Sequence, residues 1–188
     1  MDFISERVGY NKTPEDLTIY IKGSKKSDAK KIQFMKIWII LSIVAIILLI
    51  AQFFLPFNVG AAKYYLVGLI GFLVYFIYIA IKAYYFRKYG TETIYVNNDK
   101  FMIRRDVYTK QGKPKWFKAN EKNPFSKVDE KPGGINAFFY SSFWVVTGGT
   151  IMFGAKNAEF RFGIQLTDEE ANKVVQLMNK TIRINHQK

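Results

Sequence analysis

The chain of 188 residues contains no cysteine and a single histidine. Without cysteine no disulfide staples the fold and no thiolate binds zinc, which suits a reducing compartment. The one histidine, His186, stands near the C-terminus, where a solvated side chain is expected rather than a ligand or general base. A zinc site would need carboxylates alone, and acids are few, with 15 Asp and Glu against 28 Lys and Arg. The densest group, Asp168-Glu169-Glu170, has the spacing of a helix N-terminal cap, and Asp129-Glu130 lies between Lys127 and Lys131 as a solvated strand end would. No glycine-rich loop between a strand and a helix cradles phosphate, and nothing in the pattern favours a Ser–Lys pair. The expectation is a protein that is not an enzyme, with no catalytic residue, metal or cofactor.

Acidic side chains, arginine and histidine are also missing from two long apolar runs, residues 37–57 and 64–85, which hold only Lys82 near the end of the second. A hydrocarbon core of about 30 Å is spanned by roughly 20 helical residues, so each run is long enough to cross it. A signal peptide has a shorter apolar region nearer the N-terminus, and a buried hairpin would need covering on every face, which a chain of this size cannot supply. The sequence therefore predicts an integral membrane protein with a two-helix hairpin.

Its orientation follows from the flanking bases. Lys22, Lys25, Lys26, Lys30, Lys31 and Lys36 precede the first run and Lys82, Arg87 and Lys88 close the second, while the connection carries only Lys63. Lys and Arg resist translocation, which places both termini in the cytoplasm and the linker around Asn58 outside, in a cytoplasmic (inner) membrane. Tyr64, Tyr65, Tyr84 and Tyr85 fall at interface depth, and Pro56 helps end the first helix. The lysines behind the net charge of +13 either set topology alone or also meet anionic lipid or an acidic partner. Within the spans, Ser42, Ala45, Gly68 and Gly71 are small residues that let helices approach, and Tyr78 should lie level with Ser42, close enough for a hydrogen bond. No ionisable group stands at mid-span, which argues against a channel or transporter built by this chain alone.

After Gly90 the period changes to alternation. Strands are expected at 91–96 and 101–108 around a tight Asn97-Asn98-Asp99-Lys100 turn, then near 115–118, 125–130, 143–147, 150–153 and 159–164. Thr167 and Glu170 match a capping box, and the helix that follows presents Ala171, Val174, Val175, Met178 and Ile182 on one side.

The strand-turn-strand opening at 91–108, the segments Gly149-Thr-Ile-Met-Phe153 and Phe160-Arg-Phe-Gly163, and the capped helix together resemble the bacterial membrane proteins that carry a two-helix hairpin followed by a pleckstrin-homology-like domain. The resemblance covers about residues 35–183. It implies an α+β cytoplasmic domain, a bent antiparallel sheet or barrel of six to seven strands capped by a C-terminal helix, with a scaffold or binding role and no catalytic residues. The expected division is a cytoplasmic basic segment at 1–36, the hairpin at 37–86 and the domain at 90–188.

Lysines and aromatics mingle between Lys110 and Lys118, a mixture compatible with nucleic acid but better suited, on a membrane-tethered domain, to phospholipid headgroups. Two functions follow. In the preferred one the chain is an accessory or scaffold subunit that packs beside a larger membrane complex, or a second copy of itself, and docks proteins, with Phe138, Phe139 and Tyr140 as a contact candidate. In the alternative the domain binds anionic headgroups through Lys82, Arg87, Lys88, Lys110, Lys113, Lys115 and Lys118. No nucleic-acid partner is expected.

Overall fold

The computed structural model describes residues 1–54, 61–97, 99–118, 125–128, 146, 149–154 and 160–186. Three strands precede the first apolar helix: β1 (Asp2–Phe3), β2 (Val8–Lys12) and β3 (Leu17–Lys22). In β3 the buried Leu17, Ile19 and Ile21 alternate with Thr18, Tyr20 and Lys22, the period of a strand with one covered face. Residues 1–36 are therefore not a separate basic segment, which corrects the expected division.

A single 3-10 turn, Lys26–Asp28, leads into α1 (Ala29–Phe53), and α2 (Ala61–Tyr89) returns. Among the less exposed side chains of α1, Ile32, Met35, Ile39, Ser42, Ile46 and Leu49 recur at alternating spacings of three and four, as do Leu66, Ile70, Leu73, Ile77, Ala80 and Tyr84 in α2, with Trp38, Phe76 and Ala83 flanking the two stripes. A heptad spacing of this kind suits the seam of a left-handed helix pair. Trp38 and Phe76 meet edge to face across it with ring centroids 5.3 Å apart. Both helices are long and apolar enough to cross a membrane, and only 11% and 17% of their most apolar stretches is buried, leaving the rest of each apolar surface outward.

Strands β4 (Gly90–Val96), β5 (Lys100–Val107) and β6 (Lys115–Lys118) complete a six-stranded antiparallel sheet in the order β1-β2-β3-β4-β5-β6. The pairing of β3 with β4 sets Leu17 opposite Val96 and Lys22 opposite Thr91, and the Gly23 N–H donates to the Gly90 carbonyl at 2.9 Å. The hairpin is thus an insertion in the connection between two neighbouring strands, and both its feet leave one end of the sheet. Close approach there requires glycine, since a Cβ on Gly23 would collide with the Phe86 carbonyl oxygen.

A second sheet of β7 (Ser126–Lys127), β8 (Gly149–Phe153) and β9 (Phe160–Ile164) faces the first. Phe101 is the hub between them, its ring 4.6 Å from Phe153, 4.9 Å from Phe117 and from Phe125, and 6.0 Å from Phe162. The helix α3 (Asp168–His186) adds Ala171, Val174, Met178 and Ile182 to this core, with Val175 only partly buried. Its cap forms as expected: Glu170 N–H donates to Thr167 Oγ1 at 3.3 Å and Thr167 N–H to Glu170 Oε2 at 2.9 Å. The helix runs on to His186, so that residue is helical. The strand expected at 143–147, apart from Val146, and the turn at Pro56 and Asn58 lie outside the described residues.

Candidate functional site

The side chains that fasten the sheet to the hairpin form the most concentrated polar cluster. Arg87, in the last turn of α2, is 3% exposed; its Nη1 donates to the Gly23 carbonyl at 3.0 Å and its Nη2 to Gln165 Oε1. Arg7, which precedes β2, is 5% exposed and donates to the carbonyls of Ile164 at 2.7 Å and Gln165 at 3.3 Å. Gln165 receives both guanidinium groups from a left-handed backbone with φ of 47°, a conformation that costs a non-glycine residue about 1 kcal/mol and that these bonds offset. Burial pushes the Arg7 guanidinium below its ordinary value, and Glu170, Asp28 and Glu92 oppose that shift.

Two carboxylates balance the cluster. Burial pushes Glu170 upward, but the Ser5 hydroxyl at 2.6 Å, the Thr167 amide and the charges of Arg7 and Lys25 outweigh it and hold the group below its ordinary value. Glu92 is fully buried, accepting from Arg105 Nε at 2.9 Å and from the amides of Gly163 and Ile164 at 3.0 and 2.9 Å. One carboxylate on β4 thereby clamps β9 of the second sheet. The cluster orients and rigidifies, since every described contact runs between elements of the scaffold.

Sheet register sorts the lysines by height. Val107 pairs with Gly90 at the hairpin end, and the Tyr108 N–H donates to the Tyr89 carbonyl at 3.4 Å, so the turn carrying Lys110 and Lys113 lies beside the end of α2. Lys118 pairs with Lys100, seven residues farther along β5 and thus roughly 23 Å away at about 3.3 Å per residue. Lys115 Nζ sits 5.5 Å from the centroid of Phe160. Of the seven residues expected to contact lipid, Lys82, Lys88, Lys110 and Lys113 stand at the hairpin end. Lys115, opposite Ile103, stands between the two ends of the sheet. Arg87 is consumed inside the joint and Lys118 is at the far end, and these two depart from the expectation.

The helix-packing residues divide as well. Ser42 is on the seam, whereas Ala45 is exposed, and a Cβ on Gly68 or Gly71 would meet nothing within 4 Å. Tyr78 is 54% exposed with Lys82 Nζ 4.3 Å from its ring centroid, and it makes no bond to Ser42. The seam that brings α1 and α2 together includes Ser42 but not Ala45, Gly68 or Gly71. Phe138, Phe139 and Tyr140 lie outside the described residues. Of the two rings in the Lys110–Lys118 stretch that suit a core position, Phe117 packs on the core, whereas Trp116 on β6 is 55% exposed with its ring 6.2 Å from Tyr95. Among the described residues no three of His, Cys, Asp or Glu come together as metal ligands.

The two basic ends of α1 and α2 also enclose a groove of about 320 Å³ lined by Ala29, Ile32, Gln33, Lys36, Tyr84 and Lys88. Gln33 and Lys36 carried no signal in sequence beyond the charge bias, because the facing of α1 against α2 creates the groove. Compared with known proteins, the chain matches no family model, no curated protein and no solved structure.

Proposed function

We propose that the chain is a non-enzymatic accessory or scaffold protein of the cytoplasmic membrane, which it spans twice with both termini inside. Its pleckstrin-homology-like domain holds a protein-docking surface at a fixed height above the inner leaflet. The observation that carries this reading is the outward face of α2. Gly68 and Gly71 stand there in open space between the exposed Tyr64, Tyr75 and Tyr78, and small residues on a lipid-facing surface admit a neighbouring helix to close range. The neighbour is a larger membrane complex or a second copy of the chain. Pairing of β3 with β4 supports a common side for both termini, and the lysines at the hairpin's feet support the cytoplasmic one. The buried arginine joint keeps the domain from swivelling, and Trp116 beside Tyr95 supplies an aromatic anchor for a protein at the end away from the bilayer. The two antiparallel sheets and the amphipathic C-terminal helix support the pleckstrin-homology-like reading.

The second reading, binding of anionic headgroups, draws support from Lys82, Lys88, Lys110 and Lys113 at the hairpin end. The test is mild-detergent purification of the tagged full chain beside a Gly68→Leu, Gly71→Leu double variant. Added side chains meet open space within the molecule, so the variant should melt as the wild type does. It should lose polypeptides, or a second copy, that the wild type retains. A wild-type chain that purifies as a lone monomer with bound lipid reverses the ranking, and co-purification indifferent to both leucines sinks the proposed contact.

A further inference from the structure

The groove between the basic ends of α1 and α2 is a built site that the accessory role does not use. Its lining is the apolar Ala29, Ile32 and Tyr84 ring together with Gln33 and one lysine from each helix, Lys36 and Lys88. Lys88 Nζ is positioned by aromatic rings, 5.8 Å from the centroid of Tyr84 and 4.8 Å from that of Tyr89. Both lysines are exposed, and no carboxylate lines the groove to neutralise them. The volume of about 320 Å³ matches the lower end of small-molecule sites.

We infer that this groove binds one anionic phospholipid of the inner leaflet, with the phosphodiester between Lys36 and Lys88, Gln33 on the headgroup, and the start of an acyl chain against Ile32 and Tyr84. The occupant follows from three properties of the place. Its height is that of the last polar side chains before the apolar runs, where the phosphate layer of a bilayer lies. Its charge is positive without a counterion, which favours an anion over a zwitterion. Half of its lining, Ala29, Ile32 and the Tyr84 ring, is apolar, so it accepts the methylene chain that free phosphate lacks. Basic clefts between helix ends on the cytoplasmic side hold anionic headgroups for the same reasons.

The inference rests on the proposed membrane topology, and the experiment separates the two. The full chain is first tested for retention in membranes washed with alkaline carbonate; release would overturn the topology and the inference with it. Retained protein is then placed in nanodiscs containing equal phosphatidylglycerol and phosphatidylcholine, and the lipid that survives extraction is counted by native mass spectrometry. We expect one phosphatidylglycerol per chain. Lys36→Gln with Lys88→Gln should lower the preference about twenty-fivefold, at about fivefold for each lysine. Lys110→Gln with Lys113→Gln should leave the preference intact, and so should excess inorganic phosphate. Ala29→Trp, which fills the groove from an exposed position while keeping both lysines, should abolish retention without changing the melting temperature. Equal retention of the two lipids overturns the inference. So does a preference that survives Ala29→Trp, that follows Lys110 and Lys113 in place of Lys36 and Lys88, or that is displaced by phosphate alone.

Discussion

A guanidinium taken out of water costs several kcal/mol unless carbonyls and carboxylates meet its donors, and the joint buries two of them beside each other. Arg7 and Arg87 succeed because Gly23, Ile164 and Gln165 turn carbonyl oxygens toward them and because Glu170 and Asp28 supply the opposing charge. Among the buried side-chain atoms of the described residues, Arg7 Nε is the one left without a hydrogen-bond partner. Glu170 gives the cluster a measurable pH dependence. Its folded value lies below the ordinary 4.5, so the stability it contributes is complete above that value and is lost as pH falls through the lower, folded one. Melting temperatures of the wild type and Glu170→Gln should differ by a constant amount between pH 5 and pH 7.5 and converge below about pH 4.5. A gap that widens on acidification would mean the carboxyl is held above its ordinary value. Only the Thr167–Glu170 cap was legible in the sequence; Arg87 reads there as a topology marker and lipid-contact candidate and Arg7 carries no signal, because tertiary contact alone brings the two to one glutamine.

At the scale of elements, local signals carried most of the reading. The expected strands at 91–96 and 101–108 lie within a residue of Gly90–Val96 and Lys100–Val107, because alternation and the Asn97 turn are properties of a few consecutive residues. The N-terminal strands were missed although Leu17, Ile19 and Ile21 alternate cleanly, since the lysine-rich stretch after them fits a membrane-flanking segment equally well. The small-residue spacing on α2 was real but faced outward, a distinction that depends on which helical stripe the partner covers. For α3 the burial picks the decisive position. Thr167→Ala should cost about 1 kcal/mol through the lost cap, whereas Val174→Asp places a charge in the core and should cost several times more. Thermal melts of the full chain should rank the two in that order, and an unchanged melting temperature for Val174→Asp would remove α3 from the core.

For the molecule as a whole, the insertion of the hairpin between β3 and β4 governs which pieces fold. A fragment of residues 90–188 leaves β4 without its neighbour and strips Val8, Leu17, Ile19 and Ile21 from the core, so the domain that the sequence seemed to place after the second apolar run is incomplete. The same register shows how to complete it. Gly23 and Gly90 are already joined by a 2.9 Å backbone hydrogen bond, so replacing residues 24–89 with an Asn-Gly turn closes β3 and β4 into an ordinary antiparallel hairpin. That protein loses Arg87 and Lys25 from the joint but keeps Glu92, the Phe101 hub and α3, and it should be soluble without detergent and melt cooperatively. The 90–188 fragment should show no cooperative transition under the same conditions. Circular dichroism melts of the two decide the matter: a fragment as stable as the spliced chain would make the first three strands dispensable and restore the division of the chain at Gly90.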